Sequence, residues 1–203
     1  GWDLAGNELV RRTMRYLRKK YPVKARGKKV PVTVSVLIKI LPLLSHWPDM
    51  GAMSAEDRVF ASASVTGVAG FLRGGEFLAS NKGIRTPLKK SDITVKRIGD
   101  RDAQIIYVRQ PKTRKWLVGV NVPCYENLDD DEFCPVRLWR EYSSRSTFLD
   151  ENSPAFCLDG IALTRDYMVK RTTQLMVKAG ISFVDYTGTP MDMKASSWRS
   201  GAV

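Results

Sequence analysis

The run Val59-Phe60-Ala61-Ser62-Ala63-Ser64-Val65-Thr66-Gly67-Val68-Ala69-Gly70 carries no charge and few large side chains. A helix built from such residues lets neighbouring elements approach closely on every side, so it is expected at the centre of a fold rather than on its surface. Ser54-Ala55-Glu56-Asp57 opens it as a capping box, with Asp57 in place of the usual Glu or Gln. The helix is expected to reach about Leu72. Arg73 then stands at or just past its C-terminal end, where Gly74 and Gly75 let the chain turn. An arginine in that place complements the helix dipole, which alone is an ordinary role. Glu76, three residues on, offers it an internal carboxylate.

The elements around this helix follow from period and punctuation. In residues 8–21, Leu9, Val10, Met14, Leu17 and Tyr21 recur at near-helical spacing, and Pro22 stops the pattern. Thr33 is placed to cap a helix through Leu44, with Val34, Leu37, Ile38 and Leu41 on its apolar side and Pro42 ending or kinking it. Residues 92–98 alternate as a strand, Gly99-Asp100 is a turn, and residues 103–109 and 116–122 are two further strands. Together these make a small antiparallel sheet whose hairpin tip carries Lys112, Arg114 and Lys115. Pro135 starts a helix to about Ser144 that packs through Val136, Leu138, Trp139 and Tyr142. Asp159-Gly160 is a turn, and Thr164 caps a helix over 165–179 with Tyr167, Met168, Leu175 and Met176 inward and Gly180 at its end. A last helix is expected to contain Trp198 and Arg199. The fold class is therefore α+β and mainly helical, with a small antiparallel β-sheet packed on a helical bundle.

Charge narrows the function. Lys+Arg number 33 against 21 Asp+Glu, a net charge of +12, which points to a polyanionic partner. The excess is uneven: residues 1–29 hold ten Lys/Arg and two acids, leaving +8 in that short segment. Arg11, Arg12, Arg15, Arg18, Lys19, Lys24, Arg26, Lys28 and Lys29 form a basic helix face and linker suited to lie along nucleic acid, the plainer alternative being a solvated face and a flexible arm. No apolar run approaches the roughly 20 residues of a membrane span, so no membrane role is expected. Cys124, Cys134 and Cys157 are few, far apart and without CxxC spacing, which argues against a disulfide framework or a zinc site and for a reducing compartment. The acidic run Asp129-Asp130-Asp131 lacks the glycine turn and alternating ligands of a calcium loop; no metal or other cofactor is expected. The lone histidine, His46, beside Trp47-Pro48, is read as structural.

Four motifs, in order, resemble the catalytic domain of tyrosine recombinases, with the DIRS-type and Crypton transposon enzymes of eukaryotes nearest in flavour. Phe71-Leu72-Arg73-Gly74-Gly75-Glu76 resembles the family's first arginine box, and Gln110-Pro111-Lys112-Thr113 sits where the family has its hairpin lysine. Phe133-Cys134-Pro135-Val136-Arg137-Leu138-Trp139 resembles its Cys-Pro-Val helix entry. Ala195-Ser196-Ser197-Trp198-Arg199-Ser200-Gly201-Ala202 resembles the second box, ordinarily His-x-x-Arg followed by small residues. The resemblance covers about 30–203, with 1–29 similar to the end of a core-binding region and its linker.

What the resemblance implies is a site-specific DNA strand transferase that works through a 3′-phosphotyrosine without a metal. Arg73 and Arg199 would neutralise the scissile phosphate, with Lys112 (or, second, Lys115) as general acid to the leaving oxygen. Glu76 would orient Arg73, and Arg114 would contact the backbone. Duplex DNA, a homo-oligomer assembled on it and a nuclear location are the implied setting. Two departures matter. Ser196 occupies the histidine position and cannot replace imidazole in proton transfer near neutral pH. The family's tyrosine follows the second arginine by a few tens of residues, so the protein is expected to continue past Val203, and residues 1–203 alone are expected to be inactive. Tyr186 precedes Arg199 and is in the wrong place for that role. The alternatives are a DNA-binding module descended from such an enzyme, favoured by Ser196, or an unrelated basic protein that binds nucleic acid through 1–29 only.

Overall fold

The computed structural model describes residues 29–80, 87–109, 119–146, 150–184 and 188–194. Among them are five α-helices, α1 (Val34–Ile40), α2 (Ala55–Ala69), α3 (Gly74–Phe77), α4 (Pro135–Arg145) and α5 (Arg165–Lys178). A three-stranded antiparallel sheet runs in the order β1 (Ile93–Ile98), β2 (Arg101–Val108), β3 (Val120–Tyr125), and a two-residue hairpin pairs β4 (Cys157–Leu158) with β5 (Ile161–Ala162). The chain is thus a mixed α+β fold with a small antiparallel sheet. No helix among the described residues is long and apolar enough to cross a membrane. The expected helices over 8–21 and around Trp198 lie outside the described residues.

Helix α2 is the buried centre the small-residue run implies: every residue from Val59 to Val68 is inside. Small side chains are what allow this. Phe77 packs so near Gly67 that its Cζ stands 2.8 Å from where a Cβ on that glycine would be, a distance no side chain tolerates. The N-terminus is capped as expected, Ser54 Oγ accepting from the Asp57 N–H at 3.1 Å. The reciprocal half of the box is not made. Asp57 instead accepts from Arg171 of α5 at 2.7 Å, because a buried carboxylate gains more from a guanidinium than from one more backbone N–H.

The sheet lies along the C-terminal half of α2. Gln104 Nε2 donates to Thr66 Oγ1 at 3.4 Å, and Ile106 Cδ1 would stand 3.2 Å from a Cβ on Gly70. Four helical residues and two strand residues each advance roughly 6 Å, so β2 runs beside α2 in the same direction and leaves the core at its C-terminal end. There Arg109 clasps Asp92, Nη2 at 2.8 Å and Nε at 3.0 Å from Oδ1, while Oδ2 accepts from the Lys89 N–H at 2.8 Å. With its side chain only 4% exposed, Asp92 has both oxygens satisfied, Oδ1 by a guanidinium and Oδ2 by a backbone N–H.

An aromatic cluster ties the remaining elements together. Phe156 meets Trp139 at 5.7 Å, Tyr142 at 6.1 Å and Phe77 at 6.2 Å between ring centroids, joining α4, α3 and the segment before β4. Val136, Leu138, Trp139 and Tyr142 of α4 are all buried, as expected. Thr164 caps α5 by accepting from the Tyr167 N–H at 3.1 Å, and Gly180 takes φ +65 after its end.

Two elements differ from the sequence reading. Val34 and Ile38 face solvent because the inward face is set by Leu37 and Ile40 of α1 and continues through Leu41 and Leu44 after the helix gives way to a 3-10 segment at Leu41–Leu43 carrying Pro42. The third strand is β3 at Val120–Tyr125 rather than 116–122. Pro123 does not stop it, since β3 is an edge strand and needs no donor on its open side. The Asp159-Gly160 turn is as expected, with φ +50 and +76.

Candidate phosphate-binding site

The end of α2 is where sequence and structure diverge most usefully. The helix stops at Ala69, with Gly70 as C-cap, three residues short of Leu72. The residue that reverses the chain is Phe71, at φ +52. Its N–H bonds the Val68 carbonyl at 3.1 Å and the Leu72 N–H bonds the Gly67 carbonyl at 2.9 Å, the paired reach-back of a Schellman stop. Leu72, at the position whose apolar contact usually completes that motif, is buried. Gly74 and Gly75, expected to be the turn, instead begin the four-residue helix α3.

Arg73 therefore does not complement the C-terminus of α2. It is the extended N-cap residue of α3, at φ −76 and ψ 141. Glu76 folds back on it: Oε2 accepts from the Arg73 N–H at 2.8 Å and Oε1 faces Nη1 at 3.4 Å. The carboxylate is nearly enclosed, with its side chain 7% exposed, while the guanidinium is 25% exposed. One acid thus fixes the base of the arginine and, among the described residues, leaves most of its fork unspent. Phe77, packed on Gly67 and edge-on to Phe156, pins the far side of the turn; burying that ring contributes about 2–3 kcal/mol that four helical residues alone do not have.

A second cation stands at the same turn. Arg165, first residue of α5, has its Nη1 3.6 Å from where a Cβ on Gly75 would lie. The placement follows from the backbone. Ala79 pairs in parallel with Thr164, the Ala79 N–H bonding the Leu163 carbonyl at 2.9 Å and the Arg165 N–H bonding the Ala79 carbonyl at 3.1 Å. Arg165 is half-buried, and its guanidinium makes no ion pair or hydrogen bond among the described residues. Among the described residues the turn thus holds two guanidinium groups, Arg73 and Arg165, and the enclosed carboxylate of Glu76. Sequence reasoning gave Arg165 only a place in a helix. Its one signal was position, directly after the N-capping Thr164, where a cation opposes the helix dipole and calls for another reason to be there.

Of the other expected site residues, Lys112, Arg114 and Lys115 lie in 110–118, and Ser196 and Arg199 in 195–203, all outside the described residues, as are Arg11, Arg12, Arg15, Arg18, Lys19, Lys24, Arg26 and Lys28. Lys29 is described. It is exposed, and its segment pairs with Asp192, the Val30 N–H bonding the Asp192 carbonyl at 3.1 Å. What the structure does bring together is Arg73, Glu76 and Arg165.

The opposite end of α2 is chemically quieter. A cavity of about 180 Å³ there is bordered by Arg58, Arg145 and Asp159, with Arg58 Nη1 held by the Met50 carbonyl at 3.2 Å. Tyr142, on its wall, donates to the Cys157 carbonyl at 3.1 Å and accepts from the Cys157 N–H at 3.0 Å, and burial pushes its phenol well above the ordinary range. Tyr167 donates to Glu56 at 2.7 Å and is raised by burial first and that hydrogen bond second. Both phenols are held in the neutral form, the opposite of what an attacking tyrosine needs.

The sequence matches no protein-family model, and no curated protein matches it.

Proposed function

We propose that this chain is the DNA-binding catalytic domain of a protein resembling the tyrosine recombinases, in which Arg73 holds a phosphate of duplex DNA. The observation that carries this reading is the Arg73–Glu76 turn: a guanidinium anchored by one enclosed carboxylate, its remaining donors open among the described residues, in a chain of net charge +12. Guanidinium stays charged at any working pH and can bond two phosphate oxygens at once, which suits both a ground-state phosphodiester and the extra charge of its transition state.

In this reading an attacking tyrosine forms a bond to phosphorus, the bond to the 5′-oxygen breaks, and that oxygen takes its proton from Lys112. Arg73 and Arg199 bear the charge that collects on the non-bridging oxygens. Departure of β2 from the core at the Arg73 end of α2, with Arg109 clamped to Asp92, supports directing the Lys112 hairpin toward the same phosphate. Pairing two DNA sites calls for more than one copy on DNA. The recombinase fold itself is part of the proposal; it is supported by an α+β architecture with a three-stranded antiparallel sheet beside a buried central helix.

Binding of the chain to labelled duplex DNA, followed by fluorescence anisotropy across a salt series, tests this. Arg73→Ala is expected to weaken binding, measured per folded molecule, about tenfold and to lower the salt slope by about 1, with a smaller loss of thermal stability than Asp57→Ala because the enclosed Glu76 keeps the backbone N–H of residue 73. Unaltered affinity and slope would remove Arg73 from the DNA. A second reading, a binding module without chemistry, is favoured by Ser196 at the histidine position. Incubating the full-length protein with a nicked suicide duplex separates the two: a covalent adduct on a denaturing gel belongs to the enzyme alone.

A further inference from the structure

Phe71 carries two unfavourable features at once. Its φ of +52 lies in the left-handed region, where a Cβ crowds the following carbonyl and where glycine is the usual occupant. The residue is 56% exposed, so the strained backbone is not compensated by burial. The Schellman stop needs the backbone of this residue and the buried side chain of Leu72; it needs nothing of the phenyl ring. A glycine would serve the fold better at this position, and one stands immediately before it as Gly70. Strain of this kind persists where a side chain is used for something other than stability.

Its surroundings say for what. Phe71 is two residues from Arg73, so their Cα atoms are at most about 7 Å apart, on the scale of one nucleotide. Arg73 and Arg165 give the turn one more positive charge than Glu76 removes. An exposed aromatic face beside a cationic, phosphate-sized contact is the combination that receives a nucleotide: charge for the phosphate, ring for the flat face of the base. We propose that Phe71 stacks on an unpaired or splayed base of the nucleotide next to the phosphate held by Arg73, which makes the turn a nucleotide-binding element rather than a phosphate contact alone. The proposal rests on the DNA reading above.

The test compares three variants of the chain on a duplex carrying a single 2-aminopurine opposite an abasic position, with affinity, salt slope and melting temperature all measured. Phe71→Gly is expected to raise the melting temperature by a few degrees, because it relieves the left-handed residue, and to weaken binding about tenfold with the salt slope unchanged, because no phosphate contact is lost. Phe71→Trp is expected to keep the affinity and the 2-aminopurine quenching that Phe71→Gly loses. Arg73→Ala supplies the reference, with lower affinity and a lower slope. A Phe71→Gly variant that melts lower than the wild type would make Phe71 a structural residue and overturn the proposal. So would wild-type affinity in Phe71→Gly while Arg73→Ala binds weakly; that result leaves the DNA reading standing. If Arg73→Ala also binds like the wild type, the DNA reading falls and the proposal with it.

Discussion

The two ends of α2 sit about 22 Å apart on one buried helix and are built on opposite plans. At the Ser54 end each acid has a partner on α5: Glu56 accepts from Tyr167 and Asp57 from Arg171, both at 2.7 Å, and the cap itself is satisfied by Ser54. At the Phe71 end the balance is broken. Two guanidinium groups stand at the turn but its enclosed carboxylate pairs with Arg73 alone among the described residues, a non-glycine residue takes the left-handed position, and a large ring faces water. The first turn is the more exposed of the two, with Ala55 and Glu56 at the surface while Val65 to Val68 are buried, yet it is the exposed end whose acids found partners inside the protein. Settled groups hold a fold together, and unsettled ones are available to a ligand.

The comparison breaks most readily at the settled end. Asp57→Ala leaves Arg171 without its acceptor in a place where its Nε already lacks a partner and is buried. Removing one member of a partly buried pair costs about 2–3 kcal/mol, since the remaining charge stays desolvated. Urea unfolding is expected to show that loss, while DNA affinity measured per folded molecule stays within twofold. Equal losses of stability from Asp57→Ala and Arg73→Ala would mean that the two ends do not differ in kind.

Arg165→Ala probes the unsettled end with a smaller expected effect. Its guanidinium makes no ion pair among the described residues, so its removal is expected to change stability by no more than about 0.5 kcal/mol. If Arg165 shares the phosphate with Arg73, the variant binds duplex DNA several-fold more weakly and its salt slope falls by about 1. A lower slope in Arg73→Ala but not in Arg165→Ala would assign the phosphate to Arg73 alone and leave Arg165 a packing residue.

How much of this could be read from the sequence depended on whether a residue obeyed its usual role. Helix α2 was legible because small residues in an unbroken run have little use except close approach, and Ser54 capped it as serines do. Helix α4 was legible from Pro135 and its apolar spacing, and Arg73 with Glu76 from their separation of three. The end of α2 was misread because the chain reverses at Phe71, where a glycine is the normal marker, while Gly74 and Gly75 drew attention to the wrong residues. Val34 and Ile38 were misread because apolar residues lie on more than one side of this short helix, and the side that faces the core is the one carrying Leu37 and Ile40. The start and end of β3 hinged on Pro123, tolerated because the strand is an edge. Arg165 was invisible since it belongs to no charge run, and only the Ala79–Thr164 pairing brings it to Gly75. Lys112 and Arg199, the remaining pieces of the expected site, lie outside the described residues.

The smallest expected effect belongs to pH, and it separates the two ends once more. Tyr167 has its phenol pushed up by burial and by its bond to Glu56. For a group whose folded value is raised, the stabilisation is complete below the unfolded value, near 10 for tyrosine, and is lost as pH climbs from there toward the folded value. The Ser54 end is therefore expected to loosen in alkali, joined by Tyr142 and by Cys124, whose thiol burial pushes up to about 12. Glu56→Gln keeps an acceptor for the phenol but drops the charge, so Tyr167 ionises earlier in the folded variant. The wild type, more stable by under about 1 kcal/mol at pH 8 for so exposed a hydrogen bond, then loses stability more steeply between pH 10 and 11, and the gap narrows. Phenolate absorbance of each protein, with Tyr167→Phe as the blank, follows the ionisation directly. A Tyr167 titration that Glu56→Gln leaves in place would show that burial alone holds the phenol neutral and that the Glu56 bond adds nothing to the settled end.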